Sequence, residues 1–256
     1  MKVNLHTHTY LCNHADGTPR EYVETAIKNG LSVLGFSDHV PYPFPDGYFS
    51  GYRMTVSETE KYYSEISALR DEYRDKIKIF IGYEAEYYPK HFDAMIKNIS
   101  RFECDYLILG QHFTANEYDG THTSCLTDNK SLMTAYADQL CEAMDTGMFS
   151  YIAHPDIIGY RGDVDFYMSE ALRICEYAKD RGIPLELNLL GLSENRGYPD
   201  TEFWKAAAKT GNKVVVGCDA HNAERVGDPS EINLAGKYLS QFGIIPTEDV
   251  KLIKIS

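Results

Sequence analysis

Short apolar runs alternate with helix-periodic segments along almost the whole chain. The runs Lys2–His8, Ser32–Asp38, Lys78–Glu84, Tyr106–Gln111, Ser150–Ala153, Pro184–Asn188 and Lys213–Cys218 read as buried strands. Between them the pattern predicts helices over Pro19–Asn29, from Ser57 to about Arg74 and from about His91 to Arg101. Further helices are predicted up to about Asp145, around Met168–Asp180 and near Thr201–Thr210. Thr18-Pro19-Arg20-Glu21 has capping-box spacing with Pro at the first helical position, and Ser57-Glu58-Thr59-Glu60 repeats that spacing. Gly30 stops the first helix. Val40–Thr55 is a long loop rich in Pro, Gly, Tyr and Phe, and Phe113–Asp128 is polar and loop-like.

Seven strand–helix units in series imply a parallel sheet. With seven repeats, closure into a barrel is expected; an open sheet of flavodoxin type is the alternative, for which no glycine-rich nucleotide fingerprint follows the first strand. Residues 1–256 read as one domain, with Val250–Ser256 either a closing strand or a segment docked on the surface. A chain of 256 residues, 43% hydrophobic, is large enough for one such core and too apolar for a disordered chain. No run is long enough to span a bilayer, so no membrane partner is expected.

Charge narrows the partners. With 38 acidic against 25 basic residues, the net charge of −13 argues against a nucleic-acid backbone as partner. It leaves room for a small phosphorylated ligand, whose affinity depends on charge at the site. The six cysteines show no CxxC pair, and Met1–Leu5 runs into His6 with no apolar leader, so a cytoplasmic protein with reduced thiols is expected.

The candidate chemistry lies at the strand ends. His6 and His8 end the first strand, and His14 lies just beyond. Asp38-His39 ends the second strand and Glu84 the third. His112 ends the fourth, His154 the fifth, and Asp219-Ala220-His221 the last. In a parallel barrel the strand C-termini meet at one mouth, where active sites form. Side chains at i and i+2 on a strand share a face, so His6 and His8 point together, as do Asp219 and His221. Imidazole with carboxylate suits zinc, iron or manganese rather than a thiolate zinc site. Seven histidines and two carboxylates exceed the needs of one ion and suit two or three, with Glu84 as a bridge. Without metal, so many packed imidazoles would lose hydration and repel once charged. His91 and His122 read instead as surface or solvated residues, and Asp38 as either a ligand or the partner of a ligating imidazole.

Taken in order, His6-x-His8, His14, Ser37-Asp38-His39, Gly82-x-Glu84, His112, His154-Pro155 and Asp219-x-His221 resemble the metal-binding motifs of the polymerase-and-histidinol-phosphatase (PHP) superfamily. Within it the chain length, His14-Ala15-Asp16-Gly17, and Glu186-Leu187-Asn188 followed by Gly191-Leu192 resemble the stand-alone histidinol-phosphate phosphatases. The resemblance implies an α/β fold, a single-domain distorted (β/α)7 TIM-like barrel with three divalent ions, zinc, iron or manganese. His6, His8, Glu84 and Asp219 would hold one ion; Glu84, His112 and His154 a second; His14, His39 and His221 a third. Asn4 stands where the family often has Asp.

The implied activity is hydrolysis of L-histidinol phosphate to L-histidinol and phosphate, in histidine biosynthesis. A hydroxide bridging two ions would attack phosphorus, with Glu84, Asp219 and His221 as the catalytic residues. Three ions against two carboxylates leave the site about four units positive, which holds a phosphate dianion even on an acidic protein. Arg161 and Arg196 lie in loops at the mouth and are candidates for a phosphate clamp; Glu117 is a candidate for a substrate ammonium. The Val40–Thr55 loop is a candidate lid. The alternatives are a phosphoesterase for another small monoester or nucleotide, and a non-catalytic metal-binding module. Oligomeric state stays open.

Overall fold

In the computed structural model, which describes residues 1–45 and 47–256, the apolar runs form a seven-stranded parallel sheet. In chain order the strands are β1 (Val3–Asn4), β2 (Val33–His39), β3 (Lys78–Ala85), β4 (Tyr106–Leu109), β5 (Phe113–Thr114) and β6 (Thr121–His122), then β7 (Phe149–Ile152), β8 (Leu185–Asn188) and β9 (Val214–Gly217). The main sheet runs β1-β2-β3-β4-β7-β8-β9, and β5-β6 form a separate antiparallel hairpin. Helices α1 (Pro19–Lys28), α2 (Thr59–Glu72), α3 (Phe92–Ile99), α4 (Lys130–Asp145), α5 (Val164–Arg181), α6 (Leu189–Glu194), α7 (Thr201–Thr210) and α8 (Pro229–Ser240) connect or follow the strands. Strands succeed one another in space as in sequence, and the sheet curls into a nearly closed barrel. No helix among the described residues is long and apolar enough to cross a membrane.

The seam explains why the first strand is shorter than its apolar run. Only Val3 and Asn4 pair with β2. Beyond them the ladder is interrupted, the Asn4 amide takes over, and Thr7 O then accepts from the Ser37 N–H of β2 at 2.8 Å. Asn4 Oδ1 accepts from the backbone N–H of Cys218 at 2.9 Å and of His6 at 3.3 Å, and Asn4 Nδ2 donates to Thr7 Oγ1 at 2.7 Å. Backbone pairing resumes at the rim, where His8 N–H donates to Ala220 O at 3.0 Å.

Thr18 and Glu21 form the expected capping box ahead of α1. The second box lies earlier than expected: Glu58 accepts from both the N–H and the hydroxyl of Thr55, each at 2.8 Å, around a 3-10 turn that leads into α2. Two helices were not foreseen. Asn188 ends β8 and at once caps α6 by accepting from Gly191 N–H at 2.9 Å, so no turn separates them. Asp228 caps α8 with Pro229 in its first turn. The polar Phe113–Asp128 stretch contains the β5-β6 hairpin. The C-terminal segment docks across strand beginnings: Ile255 bridges to Cys104, and Ile253 N–H donates to Ser150 Oγ at 3.0 Å.

Helices cover the outside of the barrel over a large apolar core that includes Tyr22, Phe36 and Trp204. A smaller cluster of Leu5, Tyr106, Ile108, Tyr151, Ala153 and Val215 packs separately. The Tyr106 hydroxyl donates to Leu5 O at 2.8 Å and Phe36 O at 3.1 Å, and its ring occupies space that a Cβ at Gly82 would fill.

Candidate metal centre

All nine sequence-predicted ligand side chains come together at the C-terminal rim, around the buried carboxylate of Glu84. Its Oε1 lies 2.7 Å from His154 Nε2 and 3.5 Å from His112 Nε2. Its Oε2 lies 3.0 Å from His39 Nδ1, 3.5 Å from His8 Nε2 and 3.6 Å from His6 Nε2. Asp219 Oδ1 forms a second focus, 3.1 Å from His8 Nε2, 3.4 Å from His6 Nε2 and 3.4 Å from His221 Nδ1. His14 Nε2 and His221 Nε2 approach to 3.1 Å. Overlapping sets with donor atoms within 4.8 Å of one another include His6–His8–Asp219, His6–Glu84–His154, His8–His39–Glu84 and His14–His39–His221.

Local geometry serves this convergence. Gly110 follows β4 because any Cβ there would overlap the Glu84 carboxylate. His154 and Asp219 have left-handed backbones, with φ of 29° and 50°, which non-glycine residues rarely adopt. Strain of this kind concentrates at functional sites. Asp156, two residues past His154, anchors that turn by accepting from Asp200 N–H at 2.6 Å and Trp204 Nε1 at 2.9 Å.

Several rings have one nitrogen engaged outside the cluster. His6 Nδ1 lies 2.9 Å from Glu186 Oε2, His112 Nδ1 3.0 Å from Glu86 Oε1, and His14 Nδ1 2.7 Å from Cys12 O. An acceptor on one nitrogen places the proton there and turns the lone pair of the other inward, as in metal-ligating histidines. Asp38 belongs to this outer layer: it accepts from Thr9 and from His39 N–H and faces His8 Nδ1 at 3.5 Å. Asn188 donates to both Glu186 Oε1, at 2.7 Å, and Asp219 Oδ2, at 3.0 Å. β8 therefore supplies positioning groups and none of the nine candidate ligands.

The donor set fits divalent cations. His6 Nε2, His8 Nδ1 and Nε2, His39 Nδ1, Glu84 Oε2 and His154 Nδ1 are buried with no hydrogen-bond partner. Buried polar atoms are ordinarily paired, and His6 Nε2, His8 Nε2 and His39 Nδ1 gathered on Glu84 Oε2 beside Asp219 are a donor set that a cation satisfies. Burial would raise the Glu84 carboxyl, yet His112, His39 and His6 outweigh it and hold it well below the usual carboxylate range. Burial likewise opposes ionisation of Asp219, but His6, His8 and His221 keep its carboxyl low. The rings divide. Burial lowers His6, but Glu186, Asp219 and Glu84 raise it well above the ordinary value. Burial is likewise outweighed at His8 by Asp219 and Asp38, which raise it to about 9. Burial dominates at His39, which falls well below, and at His221, which falls to about 3 with help from His8.

Cys12 also lies within ligand range of His8 and His221, a neighbour that sequence spacing did not reveal. Burial and Asp38 push its thiol up, so it stays protonated and is a poor ligand.

The centre opens into a cavity of about 630 Å³ whose wall includes Arg196 and Tyr198. Arg196 pairs with Glu194 at 2.7 Å. Arg161 lies off that wall, donating to Tyr160 O at 2.8 Å. Glu117 also lies off it, because Arg53 from the long loop takes its carboxylate at 2.8 Å and the Tyr48 hydroxyl donates at 2.9 Å. A buried carboxylate beside a buried guanidinium pairs with it rather than facing solvent. Arg53 also grips Glu86, so the long loop is tied to the partner of His112. His91 pairs with Tyr118 away from the cavity, whereas His122, expected to be solvated, forms part of its wall.

Comparison with known proteins places this arrangement. The chain is 33% identical over 228 residues to a protein named probable histidinol-phosphatase from Deinococcus radiodurans, with 87% of each covered. It is 27% identical over 257 residues to the histidinol-phosphatase of Bacillus subtilis, with 89% of this chain and 96% of that one covered. A histidinol phosphate phosphatase from Lactococcus lactis, solved with zinc, L-histidinol and phosphate, has the same fold. It aligns with a TM-score of 0.74 over 96% of this chain and 95% of that one, at 22% identity. The PHP domain model matches residues 4–189, and with nearly three-quarters of its length inside that match the chain belongs to the PHP domain family.

Proposed function

We propose that the protein is a metal-dependent phosphomonoesterase that hydrolyses L-histidinol phosphate to L-histidinol and phosphate. The observation that carries this reading is the ring of buried, unpartnered imidazole and carboxylate atoms around Glu84 at the floor of an open cavity. The names of the Deinococcus and Bacillus relatives supply the substrate. Residues 1–256 act as one catalytic domain on a small phosphorylated partner, in the cytoplasm, and the net charge of −13 disfavours nucleic acid.

His6, His8, Glu84 and Asp219 would hold one ion, Glu84, His112 and His154 a second, and His14, His39 and His221 a third. When bound, zinc, iron or manganese supplies Lewis acidity toward phosphoryl oxygens and lowers the pKa of water. The chain supplies the orientation. Glu84 and Asp219 stay ionised between their histidines. Glu186 and Glu86 fix the tautomers of His6 and His112, so that each presents Nε2 inward. Arg196 on the cavity wall is placed to donate to a phosphate oxygen, with a planar fork that matches it.

The test is phosphate release from protein loaded with manganese, zinc or iron, on L-histidinol phosphate and a panel of monoesters and nucleotides. Fastest turnover of L-histidinol phosphate is expected. Preference for a nucleotide reassigns the substrate, and release from none of them overturns the enzyme.

A further inference from the structure

A second cavity lies at the opposite end of the barrel, where the sheet does not close. β1 and β9 are the edge strands of the sheet, and among the described residues no ladder joins them below the Asn4 bridge. A cavity of about 280 Å³ occupies that gap. Leu5 lines it from one edge, Val215 from the other, Tyr151 from inside the barrel and Gly236 of α8 from outside. The segment from Pro246 to Val250 crosses its mouth, tied down where Thr247 N–H donates to Val214 O at 2.7 Å.

The wall selects an uncharged occupant. Leu5, Tyr151 and Val215 are buried, and the one carboxylate of the lining, Glu248, is engaged at the edge by the Lys2 backbone N–H. Water needs several polar partners to occupy such a space, so an apolar cavity stays dry. Gly236 keeps it open: a Cβ there would meet no atom within 4 Å. Glycine weakens a helix interior relative to alanine, so α8 is less stable for leaving this space unfilled. A cavity of roughly 150 Å³ holds benzene, and one of about 280 Å³ accommodates about ten non-hydrogen atoms.

This cavity also adjoins the support of the metal cluster. Val215 and Glu186 are register partners on β9 and β8, so their side chains leave the sheet on one face, side by side. The Glu186 carboxylate occupies the space that a Cβ at Gly217 would fill, and its Oε2 lies 2.9 Å from His6 Nδ1. Burial and the Glu186 charge raise the Tyr151 hydroxyl well above the ordinary phenol value, so it stays protonated and donates to Glu186. A molecule in the cavity therefore packs against Tyr151 and Val215, the two residues that flank Glu186.

We propose that the closed end of the barrel is a regulatory site for one uncharged apolar molecule, whose packing against Tyr151 and Val215 steadies Glu186 and, through it, His6. The site stands apart from the phosphomonoesterase reading, and only its effect rests on the metal centre. An occupant that orders Tyr151 leaves less to be ordered when metal binds, so metal affinity rises with occupancy. Linkage then requires metal to raise affinity for the occupant by the same factor.

The experiment titrates n-butylbenzene, an uncharged hydrocarbon of fitting size, into the full chain with and without saturating zinc. The methyl NMR signals of Leu5, Val215 and Val250 report the site. Saturable shifts are expected, with affinity about fivefold higher in zinc, and zinc affinity in a chelator competition is expected to rise about fivefold with the hydrocarbon present. Gly236→Phe and Ala235→Leu add side-chain atoms at the cavity wall, and each is expected to lower n-butylbenzene affinity about tenfold. Tyr151→Phe keeps the ring and removes the hydroxyl, so binding is expected to persist while the zinc dependence disappears. No saturable shift, or undiminished binding in both filled variants, overturns the site. Affinity that zinc leaves unchanged, or a zinc dependence that survives in Tyr151→Phe, overturns the regulatory link. Protein that takes up no zinc overturns the metal-centre reading and the link with it, while the titration without zinc decides the cavity by itself.

Discussion

The two ends of the barrel are built from the same strands and have opposite physics. At the rim, buried nitrogens and oxygens stand unpaired, two non-glycine residues have left-handed backbones, and carboxylates are packed among imidazoles. At the other end Leu5, Tyr151 and Val215 line an apolar cavity of about 280 Å³, covered by the segment around Pro246 and Val250. Only a few residues separate the regimes: Leu5 faces the apolar end and His6 the rim, and Val215 on β9 gives way to Asp219 just past that strand's end. Stability and chemistry are therefore partitioned along each strand, as in other parallel barrels.

The sharpest way to break this comparison is to exchange one atom at the rim. Glu84→Gln is expected to lower kcat by about a thousandfold or more, because the bridging charge between two candidate ion positions is lost. The thermal midpoint of the metal-free variant, followed by circular dichroism, is expected to stay at or above that of the parent. A large drop in that midpoint would make Glu84 a structural residue. The complementary change lies in the barrel: Ile108→Ala is expected to cost about 3 kcal/mol in urea unfolding while kcat of the folded protein is kept. Equal losses of stability and activity there would erase the partition.

Smaller effects test the layer between. Glu186→Gln is expected to weaken metal affinity about 10- to 100-fold in a chelator competition, with far-ultraviolet dichroism unchanged, since Glu186 sets the tautomer of His6 without facing the cavity. Unaltered affinity would reduce Glu186 to packing. The smallest signal is a proton count. His6 lies well above its ordinary pKa and His8 at about 9, so both carry a proton at pH 7 that an incoming cation displaces. Metal titrations in two buffers of different ionisation enthalpy are expected to show release of about two protons at pH 7. Because the cation competes with protons, release diminishes and apparent affinity rises as the pH passes through 9. Zero release at pH 7 would contradict the charge state of those rings.

Much of this partition was legible in the sequence, for a physical reason. Parallel strands buried on both faces leave uninterrupted apolar runs, so all seven were visible. Ligands at their ends stood out because His6-x-His8 and Asp219-x-His221 share the two-residue period of a strand. Glu186-x-Asn188 has that same period and was read only as a family mark, because a carboxylate that serves another side chain has no partner within its own segment. Arg53 was hidden for a similar reason: its meaning lies in Glu86 and Glu117, on two other elements. The Asp228-Pro229 start of α8 was written in ordinary capping chemistry and passed over, whereas α6 had no break to announce it.

Asn4 gives the barrel a line of least resistance. Where β2 and β3 share seven register pairs, β1 joins β2 through two, and the Asn4 amide bridges toward Cys218. Deuterium is expected to enter the Cys218 amide earlier than the interior amides of β2 and β3, because one side-chain amide holds it where a strand ladder holds the others. Asn4 has no carboxyl proton to gain or lose, so this closure keeps its character from acid to alkaline conditions, and an aspartate in its place would make it sensitive to acidity.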